Sequence, residues 1–155
     1  EYTDYPDGTC YGGRTPDGSQ PGTCTFDGSR PAFNPRWKYS LTAQWTQPIP
    51  GTALEWFVRG ETIYTDEHNQ IGNLDPRGFQ EDITLYNARL GVRAVDGRWS
   101  VLAWGKNLGD EAYFMQRAAQ PLNAFISAGG NAAVQGTSGW YAPPRTWGIE
   151  ANVAF

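Results

Sequence analysis

The chain has 155 residues, the length of one domain, and 12 Lys and Arg against 16 Asp and Glu give a net charge of −4. That acidic balance argues against a nucleic-acid partner, because phosphate binding needs a basic surface. Only 18% of residues are charged while 14% are aromatic and 19 are glycine, a composition suited to strands and turns rather than helices. No apolar run approaches the roughly 18 residues of a transmembrane helix, which leaves open a membrane β-barrel with half-apolar strands.

In chain order, residues 1–34 read as a long ordered loop, with Pro6-Asp7-Gly8, Pro16-Asp17-Gly18, Pro21-Gly22 and Asp27-Gly28 as turn signals. Glu1-Tyr2-Thr3-Asp4 lacks the basic start and apolar core of an export signal, so such a signal is expected upstream. Glu1–Tyr5 reads as the end of a strand. Cys10 and Cys24 lie within this loop. His68 is the single histidine and is distant in sequence, so a disulfide is the better reading than a metal site. A disulfide implies an oxidising compartment. Asp17 and Asp27 do not follow the ligand order of a calcium loop.

Trp37 to Gln47 alternates: Trp37, Tyr39, Leu41, Ala43 and Trp45 face one way, Lys38, Ser40, Thr42, Gln44 and Thr46 the other. Pro48-Ile49-Pro50-Gly51 is a tight break. In the next strand Leu54, Trp56, Val58, Gly60, Thr62 and Tyr64 oppose Glu55, Phe57, Arg59, Glu61, Ile63 and Thr65, with Phe57 and Ile63 on the otherwise polar side. Asp66 to Gln80 reads as a second polar loop. A third strand sets Tyr86, Ala88, Leu90, Val92 and Ala94 against Asn87, Arg89, Gly91 and Arg93, and Asp96-Gly97 then signals a hairpin. A fourth strand is predicted from Trp99 to about Phe114, its parity ambiguous between Trp99, Val101, Ala103 and Leu102, Trp104. Gln116 to Pro143 is a third long connection, and Glu111–Ala119 has room for a turn or two of helix. In the closing strand Trp147, Ile149, Ala151, Val153 and Phe155 form one apolar parity, and Thr146, Gly148, Glu150, Asn152 and Ala154 the other.

Short and long connections alternate, so all short turns fall at one end of the strands and all long loops at the other. Outer-membrane barrels are built this way, with short turns on the periplasmic side. Residues 1–34 then fall on the extracellular side. Trp37, Tyr39 and Tyr64 lie at the loop end, and Trp45 and Trp56 at the turn end, as two interfacial girdles require. Trp37 and Trp45 are eight residues apart, about 26 Å along a strand or roughly 20 Å of membrane at a 40° tilt. A lipocalin or β-sandwich also alternates, with its apolar face inward. The asymmetric loops and paired aromatic ends favour the membrane barrel.

Two segments carry a resemblance. Trp104-Gly-Lys106-Asn107-Leu108-Gly-Asp110-Glu-Ala-Tyr113 resembles a stretch near the end of TonB-dependent outer-membrane receptors. Tyr141-Ala-Pro143-Pro144-Arg145-Thr146-Trp147-Gly148 through Phe155 resembles their "PPRTYG" motif and closing strand. Asn34-Pro35-Arg36-Trp37 is similar to a strand start common in that family. The layout of the whole chain fits, and the two motifs cover about its last third. The resemblance implies an all-β, antiparallel, up-and-down barrel of 22 strands, of which residues 1–155 are the C-terminal five to six, residues 1–34 an extracellular loop and 35–155 strands and loops. The plug and the TonB box are expected upstream.

By the same resemblance, Trp147, Ile149, Ala151, Val153 and Phe155 form the signal read by the barrel-assembly machinery. The implied function is energy-coupled uptake of a siderophore–iron complex, haem, cobalamin or a glycan through the outer membrane of a Gram-negative cell. A passive porin-type channel is the alternative. The implied partners are outer-membrane lipid, TonB through the missing N-terminal part, and an extracellular small-molecule or glycan ligand. No cofactor, resident metal or enzymatic activity is expected, since no nucleophile has a histidine nearby in sequence. Glu55, Arg59, Glu61, Arg89, Arg93 and Lys106 are expected to face a lumen, and His68 reads as a solvated loop residue. Tyr11, Phe26, Phe125, Trp140 and Tyr141 are candidates for stacking on a ligand, with loop packing the commoner explanation. The ligand-binding residues themselves are not legible.

Overall fold

The computed structural model describes residues 1–120 and 136–154. In chain order its elements are β1 (Gly8–Thr9), β2 (Thr23–Cys24), β3 (Lys38–Pro48), β4 (Leu54–Thr65), β5 (His68–Asn69), a 3-10 turn (Pro76–Gly78), β6 (Phe79–Gln80), β7 (Ile83–Ala94), β8 (Trp99–Lys106), β9 (Phe114–Gln120), β10 (Gly136–Tyr141) and β11 (Thr146–Val153). The protein is all-β, and every strand pair is antiparallel. The chain divides into two compact units.

One unit comprises Trp37–Thr65, Ile83–Ala112 and Pro143–Phe155. It holds a five-stranded sheet in the order β11-β8-β7-β4-β3, so successive long strands are neighbours in an up-and-down meander. The sheet is open among the described residues. β3 and β11 are its two edges. β3 joins β4 through residues 49–53, where Gly51 adopts φ 77° and the Ile49 amide bonds the Leu54 carbonyl at 2.9 Å. β7 joins β8 through residues 95–98. Gly97 there adopts φ 74°, a conformation open to glycine without cost, and Asp96 Oδ1 accepts from the Arg98 amide. Both short turns lie at one end of the sheet. The connections at the other end, 66–82 and 107–145, are long.

The other unit comprises Glu1–Arg36, Asp66–Asp82 and Tyr113–Ala142. Short ladders hold it: β1 with β2, β5 with β6, and β9 with β10. Cys10 and Cys24 are disulfide-bonded, with Cα atoms 5.2 Å apart. Cys24 and Phe26 are buried, and Phe26 stacks on Tyr5, which stacks on Tyr2. This small aromatic core explains how so polar a segment keeps one conformation.

Four boundaries differ from the sequence reading. The fourth strand stops at Lys106 instead of running to Phe114, because Asn107 and Asp110 both adopt positive φ (50° and 56°) and turn the chain out of the ladder. The 111–119 region is not helical: Phe114–Gln120 is a strand, and within the long connection it pairs antiparallel with β10. Residues 1–5 are not a strand; the amides of Gly28 and Phe26 bond the Tyr2 and Tyr5 carbonyls inside the loop. The third strand starts earlier, at Ile83, which is buried opposite Thr65.

Candidate functional site

The five-stranded sheet sorts its side chains by face, and the register settles the ambiguous strand. Trp45, Val58, Leu90, Ala103 and Ile149 are successive cross-strand partners from β3 to β11. So are Ala43, Gly60, Ala88, Gly105 and Trp147, two residues away along each strand and therefore on the same face. Trp99, Val101 and Ala103 thus lie on the apolar face, and Leu102 and Trp104 on the other. No charged residue occupies the apolar face between Tyr39 and Trp45 on β3, Leu54 and Tyr64 on β4, Thr84 and Ala94 on β7, Trp99 and Gly105 on β8, or Trp147 and Val153 on β11. Its large side chains are exposed: Leu41, Trp45, Val58, Leu90, Val101 and, at 79% and 76%, Trp147 and Ile149. A continuous apolar sheet face of this extent marks a surface that something other than water covers.

Aromatic residues on this face cluster at its two ends. At the long-connection end are Tyr39 and Tyr64, stacked as cross-strand partners with ring centres 5.1 Å apart, then Tyr86 and Trp147. At the short-turn end are Trp45, Trp56 and Trp99. Aliphatic and small residues lie between. Neither row of aromatics runs perpendicular to the strands. Tyr64 is level with Tyr39, Tyr86 is level with Leu41, and Trp147 is level with Ala43. That row shifts four residues, about 13 Å, over four strand spacings, about 19 Å, an obliquity of about 35°. At the other end Trp56 is level with Gln47, and Trp99 lies one residue past the row of Pro48, Glu55, Arg93 and Ser100. That row shifts four residues over three spacings, an obliquity of about 40°. Both rows step in the same direction.

The opposite face is polar and charged. Glu55 and Arg93, cross-strand partners, form an ion pair, and the Arg93 guanidinium lies over the Phe57 ring at 5.5 Å. Asn87 donates to Glu61 Oε2 at 2.9 Å. Arg59 and Arg89 are directly opposite each other. Lys106 sits over the Trp104 ring at 5.6 Å. Gly148 makes room for that indole, since a Cβ at this position would lie 2.7 Å from the ring. The six residues expected to share a lumen therefore share one face of the sheet.

Most residues of the two sequence motifs assemble into a clip at the long-connection end of β8 and β11. Asn107 is buried; its side chain accepts from the Glu111 amide and donates to the Glu111 and Pro143 carbonyls, while its own amide bonds Asn87 Oδ1 at 3.0 Å. Asp110 Oδ1 accepts from the Arg145 amide at 2.9 Å, and the Arg145 guanidinium reaches the Leu108 carbonyl at 3.4 Å. Leu108 covers Gly105, and its amide bonds the Tyr86 carbonyl. Residues 35 and 36 positions apart are so brought together. Trp104 and Lys106 project from β8 onto the polar face. Pro144 is exposed between the bonded residues Pro143 and Arg145. Tyr113 belongs to the other unit, where its carbonyl accepts from the Ala142 amide. Of the closing-strand residues, Trp147, Ile149, Ala151 and Val153 lie on the apolar face, whereas Phe155 is outside the described residues.

In the loop unit the candidates for ligand stacking separate. Phe26 is 2% exposed and sits against Tyr5 with the Arg14 guanidinium 5.0 Å from its ring, so it is a packing residue and cannot stack on a ligand. Tyr141 lies against Phe114 with the two rings tilted by 32° and their centres 4.0 Å apart, and Phe114 also carries the Arg117 guanidinium at 3.9 Å, yet Tyr141 and Trp140 remain more than three-fifths exposed. Tyr11 is half-buried, and Phe125 lies outside the described residues. His68 is half-buried, its Nδ1 3.0 Å from the Asp66 carbonyl. Asp17 is engaged with Arg14 and the Thr25 amide, and Asp27 with the Tyr5 amide.

Asp7 was not distinguishable in the sequence from the other Asp-Gly turns. It accepts from the Ser19 and Thr23 hydroxyls and the Gln20 amide, which hold its carboxyl down to about 2. Asp75 is fully buried. Burial pushes its carboxyl up, but the guanidinium and amide of Arg77 outweigh this and leave it below the ordinary carboxylate range, while the same bonds raise Arg77. Comparisons with protein-family models, curated proteins and solved structures returned no match for this chain.

Proposed function

We propose that this chain is the C-terminal part of the transmembrane β-barrel of a TonB-dependent outer-membrane receptor, which takes up a scarce nutrient such as a siderophore–iron complex, haem, cobalamin or a glycan. The observation that carries the membrane reading is the apolar sheet face with its two oblique aromatic rows. Strands of outer-membrane barrels tilt by about 35–45° to the barrel axis, so a flat membrane interface cuts each successive strand at a shifted residue. Rows at about 35° and 40°, stepping in the same direction, are what two parallel interfaces would select. A soluble sandwich has no reason to place its aromatics on such lines, and it covers its apolar face with a second sheet.

The receptor reading rests further on the two motifs and on the clip that their residues make. In this reading the polar face lines the lumen, the loop unit is extracellular, and the edges β3 and β11 pair with strands supplied upstream. TonB engages the missing N-terminal part, and the closing strand with Phe155 presents the assembly signal to the barrel-assembly machinery. Ligand uptake by cells carrying the whole receptor tests this reading. Uptake should require TonB and an energised inner membrane; uptake that persists at the same rate without TonB would replace the receptor with a passive channel. Deleting Phe155 should lower the yield of heat-modifiable barrel in the outer membrane.

A further inference from the structure

Across the polar face the charged residues are not evenly matched. Where β4 and β7 pair near the short-turn end, Glu55 meets Arg93, opposite charges on opposed residues. Further along the same two strands Arg59 meets Arg89, like charges on opposed residues. Opposed residues in an antiparallel pair have Cβ atoms about 5 Å apart, and like charges there repel. The carboxylate nearest in sequence, Glu61, is turned to Asn87, which in turn is fixed by the Asn107 amide. Among the described residues no ion pair reaches Arg59 or Arg89. Arg59, Glu61, Asn87 and Arg89 line one pocket. Trp104 is the cross-strand partner of Arg89 on its other side, and Lys106 adds a third cation over that indole.

We propose that Arg59 and Arg89 form a binding site for a carboxylate or phosphate oxyanion on the polar face of the sheet, with Lys106 reinforcing the field and the Glu61 carboxylate, which lines the same pocket, engaged by the Asn87 side chain. Two guanidinium forks on adjacent strands can each donate to the several acceptor oxygens of such a group, and one bound oxyanion converts their repulsion into two charge-assisted attachments. The chemistry has two possible sources: a small anion from solution, or a carboxylate side chain from a segment of the same protein packed against this face. The site is defined by the sheet alone and does not depend on the receptor reading.

The test uses the whole folded protein in detergent, with inorganic phosphate as probe and chloride holding the ionic strength constant. Apparent melting temperature and phosphate affinity are compared for wild type, Arg89→Gln and the double variant Arg59→Gln/Arg89→Gln. A free oxyanion is supported if phosphate raises the melting temperature of wild type but not of the double variant. Arg89→Gln alone should then bind phosphate about tenfold more weakly, the equivalent of one charge-assisted hydrogen bond. An internal carboxylate is supported if phosphate has no effect on wild type and both variants melt below it. The proposal is overturned if phosphate shifts wild type and variants equally, or if it shifts none and the variants melt at or above wild type. Should the double variant fail to fold, a phosphate shift that needs about tenfold more phosphate in Arg89→Gln than in wild type supports the proposal, and equal shifts overturn it.

Discussion

Leu90→Arg puts the membrane assignment at greatest risk. Leu90 lies at the middle of β7 on the apolar face, between Val58 and Ala103, and is 56% exposed. Tyr86, in the aromatic row at the long-connection end, is four residues away. That separation is about 13 Å along the strand, or about 10 Å of depth at a 40° tilt. On the proposed membrane reading, with an apolar band about 25 Å tall, Leu90 would then lie close to the midplane. An arginine at that depth of a barrel costs about 2–4 kcal/mol, and the same residue near an interface costs about 0–1 kcal/mol. If water bathed this face, the substitution would fall within about 0.5 kcal/mol of wild type. Denaturant unfolding of the whole protein in lipid bilayers, followed by tryptophan fluorescence, separates these cases. Trp99→Arg in the turn-end aromatic row and Gln44→Arg on the polar face serve as controls. A loss at Leu90 no larger than at Trp99 or Gln44 would refute the depth argument.

Three other outcomes are expected. Reducing Cys10–Cys24, which closes a separation of 14 residues, should cost the loop about 3 kcal/mol in the chain-entropy model and open residues 1–34 to protease while the sheet persists; an unchanged cleavage pattern would count against a structural role. Asp7 has a folded-state pKa of about 2, below its ordinary 3.8, so its contribution is complete above about pH 4 and is lost as pH falls through about 2. Exchange protection of the Gln20 amide, corrected for intrinsic rate, should follow that titration in wild type and lose it in Asp7→Asn. Asn107→Ala removes three side-chain hydrogen bonds and a residue tolerant of φ 50°, so denaturant midpoints should report a loss of about 1–3 kcal/mol; stability equal to wild type would show that the clip contributes nothing.

Alternation made the sheet legible wherever one face is consistently apolar. β3 and β4 lie within a residue of the boundaries expected from parity, and β11 covers Thr146–Val153 of the expected closing strand. β8 was ambiguous because Leu102 and Trp104 are apolar on the polar face, where Trp104 fills the space above Gly148 and accompanies Lys106. Periodicity carries no information about such local packing. The stop at Lys106 depended on left-handed conformations at Asn107 and Asp110, which asparagine and aspartate tolerate but do not announce. The loop unit was legible only as turns and a cysteine pair. Its organising contacts are Asp7 with Ser19, Gln20 and Thr23, Asp75 with Arg77, and Phe26 with Tyr5. All are side-chain contacts within irregular backbone, where no period relates the partners. The Arg59–Arg89 opposition became visible only once the register of β4 against β7 was known.

The central claim is that one face of the five-stranded sheet contacts lipid, and nitroxide scanning of the whole protein in bilayers tests it most directly. Single cysteines at Leu41, Leu90 and Ile149 sample the apolar face, and cysteines at Gln44, Arg89 and Glu150 the polar face; the native pair is disulfide-bonded and does not label. Collisions with dissolved oxygen should be high and collisions with a water-soluble nickel chelate low at the first three positions, with the order reversed at the second three. Equal access of the nickel chelate to both sets would contradict the account.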